Sequence, residues 1–384
     1  MSRTLPSSAD IIIVGGGSIG CSLAYHLTRL GLRPLLLERH ELGGGSTGRC
    51  AGGVRQQFST EVNVRIGMMS RRLLESFEDE VGATAALRQI GYLFLATTEA
   101  DAARFVRNVE MQQRVGLHDV RLLTPREAGG IIPDLRVDDV VAATFCPSDG
   151  LAGPNEVTMG YANAARRAGA AIVENIEVTR ITRSRGHVTG VEAGDEKVAS
   201  PLVVNSAGPY AGVVGKMAGV DVPVKPFRRH LFTTEPFRVA GEIPMMVDFR
   251  TSFYCHPEGE GLLLGMSDPH EPSSFDTSVA WDFLEHLVEH ATWRVPALEH
   301  AAIATGWAGL YEVSPDHQGI VGESPELGGL WLCCGFSGHG FMQAPAIGAL
   351  LADAIADRPP VIDLGPLAPT RFAAGQMTPE AAVI

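Results

Sequence analysis

The chain has 384 residues, of which 45% are hydrophobic and 20% charged, and it carries a formal net charge of −13 at pH 7. This length exceeds what one hydrophobic core usually supports, so we expect two domains. The negative charge disfavours nucleic acid and anionic membranes as partners. We see no transmembrane run and no signal-peptide core, which predicts a cytoplasmic protein. The cysteines lack C-x-x-C spacing, so we predict neither a disulfide framework nor a metal site.

The first predicted element is a strand, Ile11 to Val14, whose short β-branched run is typical of a strand buried on both faces. Gly15, Gly17 and Gly20 follow with G-x-G-x-x-G spacing, which allows a tight turn, close approach of a pyrophosphate and packing of a helix on the sheet. A second strand ends at Glu38, whose carboxylate can accept hydrogen bonds from both hydroxyls of a ribose. This unit predicts a dinucleotide site, but NAD and FAD enzymes share the pattern.

Downstream segments alternate between helical and extended patterns. Predicted helices cover about 60–80, 99–115, 155–169, 278–292 and 340–356, and predicted strands cover 91–96, 170–181, 188–193, 201–209 and 329–334, with a β-rich stretch over 222–265. The nucleotide-binding layer therefore draws strands from both ends and the middle of the chain. We predict an α/β fold: a Rossmann-like domain from 1–90, 145–215 and 315–384, with an inserted α+β domain on a mixed sheet from 91–144 and 216–314.

Several motifs beyond the N-terminal unit resemble those of a known family. They are STGRCAGGVRQQF at 46–58, VVNSAGP at 203–209, SPD at 314–316, GFSGHGF at 335–341 and the tail at 362–372. Together they resemble the FAD-dependent D-amino-acid-oxidase superfamily, and most of all the β subunits of sarcosine oxidase and dye-linked L-proline dehydrogenase. The resemblance covers nearly the whole chain. It implies FAD as the cofactor, a Rossmann-like FAD-binding domain and an inserted substrate domain.

The resemblance also assigns cofactor contacts. The loop at 335–340 lies between a predicted strand and helix, so its amides and the helix N-terminus present about half a positive charge toward N1 and C2=O of reduced flavin. Val178 is expected to meet the adenine through its backbone. The cofactor-binding candidates are Gly15, Gly17, Ser18, Ile19, Gly20, Glu38, Arg39, Ser46, Thr47, Arg49, Ala51, Gly52, Gly53, Val178, Ser206, Ala207, Gly208, Gly309, Gly335, Gly338, His339, Gly340, Phe341 and Met342.

Two departures from the family pattern concern the flavin. Monomeric sarcosine oxidase attaches its flavin to a cysteine where this chain has Gly309, and dimethylglycine dehydrogenases use a histidine where it has Arg49. The resemblance therefore implies FAD bound without a covalent bond. Oxidases of the family place a lysine over the flavin to promote reaction with dioxygen, and this chain has Leu263 at the comparable position. Without that cation we expect a dehydrogenase rather than an oxidase.

A third departure concerns the substrate, because Met342 replaces the lysine that binds a substrate carboxylate in the family. Arg55, in the flavin loop, is the preferred anion binder, and Arg250 is a weaker candidate. Gln56 and Gln57 either donate amides to the flavin or are ordinary loop residues. The catalytic candidates are Arg55, Tyr254, His256 and His339. For the two candidates on a predicted strand, core packing is an equal alternative.

The implied activity is oxidation of a secondary or N-alkyl amino acid, such as proline, sarcosine or an opine, by hydride transfer to flavin N5. A flavoprotein subunit or assembly factor that needs a partner chain is one alternative. A D-amino-acid or glycine oxidase is another, and an NAD-linked dehydrogenase is a third. The expected partner is a small amine or amino acid. The sequence does not identify the electron acceptor.

Overall fold

The computed structural model of the protein describes residues 5–132, 134–239 and 243–383. The strands are β1 (Ile11–Val14), β2 (Pro34–Leu37), β3 (Gly53–Val54), β4 (Tyr92–Ala96), β5 (Arg121–Leu123), β6 (Ala142–Cys146), β7 (Gly150–Leu151), β8 (Ala171–Val173), β9 (Val178–Ser184), β10 (His187–Ala193), β11 (Glu196–Ala199), β12 (Val203–Asn205), β13 (Lys225–Thr234), β14 (Met245–Asp248), β15 (Tyr254–Glu258), β16 (Gly261–Met266), β17 (Ile303–Val313), β18 (Ile320–Glu323) and β19 (Leu330–Cys334). The α-helices are α1 (Ser18–Arg29), α2 (Glu61–Glu75), α3 (Phe77–Val81), α4 (Glu99–Arg114), α5 (Pro125–Ile131), α6 (Pro154–Arg167), α7 (Ala211–Ala218), α8 (Phe283–Arg294), α9 (Gly340–Ile355) and α10 (Thr370–Ala373).

The nucleotide-binding layer is a six-stranded sheet with the order β18-β19-β12-β1-β2-β8. All neighbours are parallel except β18 and β19, which are antiparallel at the edge. Side chains of β1 alternate between two apolar faces, which explains its unbroken hydrophobic run. Ile11 and Ile13 pack with α1, α6 and α9 on one face, whereas Ile12 and Val14 pack with α7 and the antiparallel sheet β11-β10-β9 on the other.

The second large sheet has eight strands in the order β17-β13-β16-β15-β14-β4-β6-β5. Its neighbours are antiparallel except for β4 and β14, so the sheet is mixed. One face packs with α5 and α8. The opposite face holds a cluster that includes Tyr92, Leu231, Met245, Tyr254 and Leu263, and this face forms a wall of the cleft described below.

This architecture confirms the predicted α/β fold with a Rossmann-like layer and a mixed second sheet. Strands within 92–146 and 225–313 form the large sheet. The residue boundaries of the two predicted domains remain a proposal. Within the described ranges, no helix has the length and apolar character needed to cross a membrane.

Local predictions failed where a short break divides a continuous pattern. The helix predicted over 60–80 is α2 and α3, separated at Ser76. The strand predicted over 170–181 is β8 and β9, which belong to different sheets, because Asn175 between them adopts a positive φ of 61°. The helix predicted from 278 begins at Phe283. The longest described strand, β17, was not predicted. Most of its residues are half-buried or exposed, so its sequence shows no regular alternation of apolar and polar residues.

Candidate active site

The turn between β1 and α1 is compact because two of its glycines lie directly against other backbone. A Cβ on Gly15, which has a φ of +112°, would lie 2.4 Å from the Ser206 carbonyl oxygen. A Cβ on Gly20 would lie 2.0 Å from the Gly15 carbonyl oxygen. Gly17, which precedes α1, has no side chain to cap the helix. The Ser18 amide donates to Thr47 Oγ1 at 3.1 Å, whereas no group of the described chain accepts from the amides of Ile19 and Gly20, which stay open to a ligand. Such a helix N-terminus binds a pyrophosphate.

Glu38 stands just past the end of β2, as the sequence predicts. Its Oε2 accepts a hydrogen bond from the Gly16 amide at 2.7 Å, and its Oε1 accepts one from the His40 amide at 2.9 Å. These two bonds fix the carboxylate beside the glycine turn. The same oxygens keep lone pairs for the ribose hydroxyls of a dinucleotide.

A cleft of about 440 Å³ runs from this turn to the large sheet. It brings together most of the predicted site residues, from both ends and the middle of the chain. They are Gly15, Gly17, Ser18, Ile19, Glu38, Arg39, Ser46, Thr47, Arg49, Ala51, Gly52, Gly53, Arg55, Val178, Ser206, Ala207, Gly208, Tyr254, Gly309, Gly338, His339, Gly340, Phe341 and Met342.

Three predicted site residues do not line this cleft. Gly20 lies behind the glycine turn, where its missing side chain lets α1 approach Gly15. Gly335 also lies against the protein interior and not against the cleft, since a Cβ there would contact the side chains of Ile320 and Val224. His256 lies two residues beyond Tyr254 on β15, fully buried, with Nδ1 3.0 Å from the Pro257 carbonyl oxygen. These residues shape or support the walls of the cleft.

Sequence reasoning missed several cleft residues on the large sheet. They include Tyr92, Arg229, Leu231, Met245, Tyr311 and Glu312. Their strands were predicted only in part, and β17, which carries the last two, was not predicted. The sequence signal that could have identified this wall of the cleft is one tyrosine in each of three strands. Burial raises the pKa of Tyr92, Tyr254 and Tyr311, so these phenols stay protonated and can donate a hydrogen bond to a ligand.

Arg55 is a buried cation at the wall of the cleft, with only 1% of its surface exposed. Its guanidinium donates to the carbonyl oxygens of Gln57 and Ala382 and lies over the Phe58 ring, 4.2 Å from the ring centre. Within the described chain, no carboxylate forms an ion pair with it. Burial lowers its pKa, yet an arginine stays charged in proteins. A buried charge without a counter-ion is costly, which favours an anionic ligand here.

His339 is held in one protonation state by its neighbour. Its Nε2 lies 2.9 Å from Arg55 Nη2. A guanidinium only donates hydrogen bonds, so Nε2 accepts and the ring proton is on Nδ1. Burial first, and the positive charge of Arg55 second, lower the pKa of His339 well below its usual range. The imidazole is therefore neutral at physiological pH.

The comparisons with known proteins agree with this geometry. The family model for FAD dependent oxidoreductases (DAO) matches residues 10–354. The chain belongs to this family. FAD is therefore its cofactor, and the alternative that the chain is an NAD-linked dehydrogenase is wrong.

Several proteins similar to this chain are named as amino-acid oxidoreductases. It is 34% identical to human mitochondrial sarcosine dehydrogenase over 91% of its own length, but spans only 40% of that protein. It is 30% identical to glycine oxidase from Geobacillus kaustophilus and covers 97% of it. The crystal structure of L-proline dehydrogenase from P. horikoshii superposes with a TM-score of 0.91, at 32% identity, over 97% of this chain and all of that one.

The residues on the cleft fit the FAD that the DAO family binds. The open N-terminus of α1 suits the pyrophosphate, and Glu38 suits the ribose. At the other end, the loop before α9 bends at Gly338, where φ is +93° and a Cβ would lie 2.4 Å from the Tyr311 ring. Only glycine fits there, and the bend directs the start of α9 toward the cleft. The two ends offer donors for an anionic diphosphate and for a flavin ring.

Gln56 and Gln57 do not line the cleft, so their amides have a structural role. Both side-chain amides donate to the buried carboxylate of Asp149, at 2.9 and 3.1 Å, and the Gln56 backbone amide donates to it at 2.8 Å. Burial raises the pKa of Asp149 to about 6, although the bonds from Gln56 and Gln57 lower it. Asp149 thus anchors the segment that carries Arg55.

We expect Asp149→Ala to lower the free energy of unfolding by about 3 kcal/mol or more, because three buried donors lose their acceptor at roughly 1–3 kcal/mol each. Urea unfolding of the apoprotein measures the change. Asp195→Ala, at an exposed position, is the matched control and should leave stability within about 0.5 kcal/mol of wild type. Equal unfolding midpoints for the two variants would contradict the anchoring role.

Proposed function

We propose that this chain oxidises a secondary or N-alkyl amino acid, of the proline, sarcosine or opine type, by hydride transfer to FAD, and acts as a dehydrogenase. The observation that carries the proposal is Arg55: a buried guanidinium without a carboxylate partner in the described chain, lining a cleft whose large-sheet wall carries three tyrosines. This arrangement suits the carboxylate of an amino acid. Two relatives are named for sarcosine and L-proline, and both of these are secondary amino acids.

In this proposal, different residues of the cleft bind the substrate, orient it and enclose it. FAD, when bound, supplies the redox chemistry by accepting a hydride from the carbon next to the amine nitrogen. Arg55 binds the carboxylate and so fixes the position of that carbon. The same positive charge disfavours an ammonium group beside it, so the amine binds in its neutral form without a dedicated base. Tyr92, Tyr254 and Tyr311 enclose the site and exclude water.

Anaerobic mixing of the FAD-loaded protein with a panel of amines tests the proposal. We expect the flavin absorption band to bleach with proline, sarcosine or an opine, and far less with glycine and D-alanine. A protein that bleaches with no amine would contradict the proposed activity. Bleaching without dye-linked turnover would instead favour the alternative in which a partner chain completes the reaction.

A glycine or D-amino-acid oxidase is the second candidate. Its support is the glycine oxidase of Geobacillus kaustophilus, 97% of which this chain covers at 30% identity. Preferred bleaching by glycine or D-alanine, with hydrogen peroxide formed in air, would favour it.

We expect the reduced protein to react slowly with dioxygen and quickly with an artificial dye. Leu263 is packed beneath the tyrosine wall, and no lysine lines the described part of the cleft, where the cations are arginines. Charge that develops on reduced oxygen beside the flavin therefore lacks the stabilising lysine of the oxidases. Stopped-flow mixing of reduced protein with air-saturated buffer or with dye measures both rates. Rapid reoxidation by air with stoichiometric peroxide would contradict the dehydrogenase assignment.

We expect FAD to be released from the protein by acid. Gly309 packs against Arg49 at the positions where relatives carry a covalent link. Cys50 and Cys333 also line the cleft, but burial raises the pKa of Cys50 to about 11 and that of Cys333 well above its usual range, so both thiols are poor nucleophiles. After trichloroacetic acid precipitation, the yellow colour should appear in the supernatant. A coloured pellet would show a covalent bond.

A further inference from the structure

Glu312 occupies the positive end of a helix on the cleft wall. Its Oε2 accepts a hydrogen bond from the Gly335 amide at 3.1 Å. A Cβ on Gly340, the first residue of α9, would lie 3.4 Å from Oε1, and a Cβ on Gly208 would lie 3.6 Å from Oε2. The carboxyl group therefore sits where the loop before α9 and the turn after β12 meet. Glu312 is not among the site residues predicted from the sequence.

None of the arginines that line the described cleft, Arg39, Arg49, Arg55 and Arg229, forms an ion pair with Glu312. Within the described residues it has no ion-pair partner. The thiols of Cys333 and Cys334 on β19 are close enough for Glu312 to raise their pKa, and Tyr311 on its own strand and His339 before α9 line the same cleft. Burial keeps all four neutral at physiological pH. Only backbone amides and the N-terminus of α9 stabilise the carboxylate.

Glu312 lines the cleft that would hold the flavin, and the N-terminus of α9 beside it would also stabilise a negative charge on reduced flavin, so the two anions would compete for the same partial positive charge. Burial raises the pKa of Glu312 to about 7, against the opposing effect of the Gly335 and Phe336 amides. A second negative charge nearby favours the protonated form further. Reduction of the cofactor and protonation of this carboxyl group are therefore coupled.

We propose that Glu312 binds a proton when the flavin in this cleft is reduced, and that it thereby sets how the flavin potential depends on pH. Two electrons and one proton enter the flavin: the amine substrate supplies them together as a hydride, whereas an electrode supplies the electrons and water supplies the proton. One further proton comes from water and forms an O–H bond on the Glu312 carboxylate. At pH values above the pKa of Glu312 in the oxidised protein, this uptake removes the repulsion between the two anions.

The inference rests on bound FAD and not on the identity of the amine, so its test uses no substrate. The flavin midpoint potential of the FAD-loaded protein is measured by spectroelectrochemistry between pH 5 and pH 9. In wild type we expect an interval above about pH 7 in which two protons are bound for every two electrons. An uptake of one proton across the whole range would overturn the proposal, whichever amine the enzyme oxidises.

A variant separates Glu312 from the flavin's own proton at N1. Glu312→Gln keeps a carbonyl oxygen to accept from the Gly335 amide, and we expect it to bind only one proton per two electrons in that interval. Glu289→Gln removes the same charge from an exposed position on α8 and should behave as wild type. A second proton that persists in Glu312→Gln would overturn the proposal.

Infrared difference spectroscopy of wild type gives an independent measurement in case Glu312→Gln binds FAD poorly. Reduction should replace a carboxylate band by the band of a protonated carboxyl group. Absence of the protonated-carboxyl band above pH 7 would overturn the proposal as well.

Discussion

Replacing Arg55 with methionine is expected to lower kcat/KM for an amino-acid substrate at least a hundredfold. Methionine keeps much of the length of the side chain but leaves the substrate carboxylate without a partner. Removing one member of a buried ion pair costs about 3–5 kcal/mol, and each 1.36 kcal/mol is a factor of about ten. The carboxylate is bound equally before and during hydride transfer, so KM should rise more than kcat falls. Anaerobic reductive half-reactions over a range of substrate concentrations separate the two.

Two controls isolate the carboxylate. Arg250→Met changes the other arginine considered in the sequence, which is exposed and does not line the cleft, and it should leave the kinetics unchanged. Pyrrolidine, which is proline without its carboxylate, should react equally slowly with wild type and with Arg55→Met. If Arg55→Met lowered the rate with pyrrolidine as much as with proline, Arg55 would support the fold of the site and would not bind the carboxylate.

The nucleotide end of the site could be predicted because its information is local. Gly15, Gly17 and Glu38 belong to one continuous strand, turn, helix and strand, and each residue type reports the conformation of its own neighbourhood. The loop at 335–340 was predictable for the same reason, since glycines between a strand and a helix mark an exposed helix N-terminus. The fold class followed from the order of these elements along the chain.

The substrate end could not be predicted to the same depth, because its residues are positioned by pairing between distant strands. Tyr92 faces the cleft through the register of β4 with β14, more than 150 residues later. Tyr311 and Glu312 depend on the pairing of β17 with β13. Which face of a strand turns inward is set by these partners and not by the local sequence. Arg55 was found because it lies within a recognisable loop.

The residues that were predicted at the cleft but lie outside it show the same dependence on distant parts of the chain. His256 shares a strand with Tyr254, but the wall of the cleft ends between them, and no local pattern marks that limit. Gln56 and Gln57 are held by Asp149, which is more than 90 residues away in the chain. A buried carboxylate that satisfies several donors is a tertiary feature, so it becomes visible only when the segments are brought together.

Gly20→Ala is expected to weaken FAD binding about ten- to a hundredfold. The new Cβ would lie 2.0 Å from the Gly15 carbonyl oxygen, so either the turn or α1 must move. That movement displaces the amides that bind the pyrophosphate, and a hydrogen bond to a charged group contributes about 1.5–3 kcal/mol. Titration of the apoprotein with FAD, followed by flavin fluorescence, measures the dissociation constant.

The same substitution at Gly130 is the matched control, because it tests alanine in a helix without the close contact. Gly130 lies in α5, and a Cβ there meets no atom within 4 Å. Alanine is favoured over glycine inside a helix by about 1 kcal/mol, so Gly130→Ala should bind FAD as wild type does and unfold at a slightly higher temperature. Gly20 also lies inside a helix, and helix propensity alone predicts stabilisation there too. A Gly20→Ala variant that gained stability and kept its FAD affinity would show that the turn relaxes freely, and that the close approach of α1 to Gly15 is not needed to hold the cofactor.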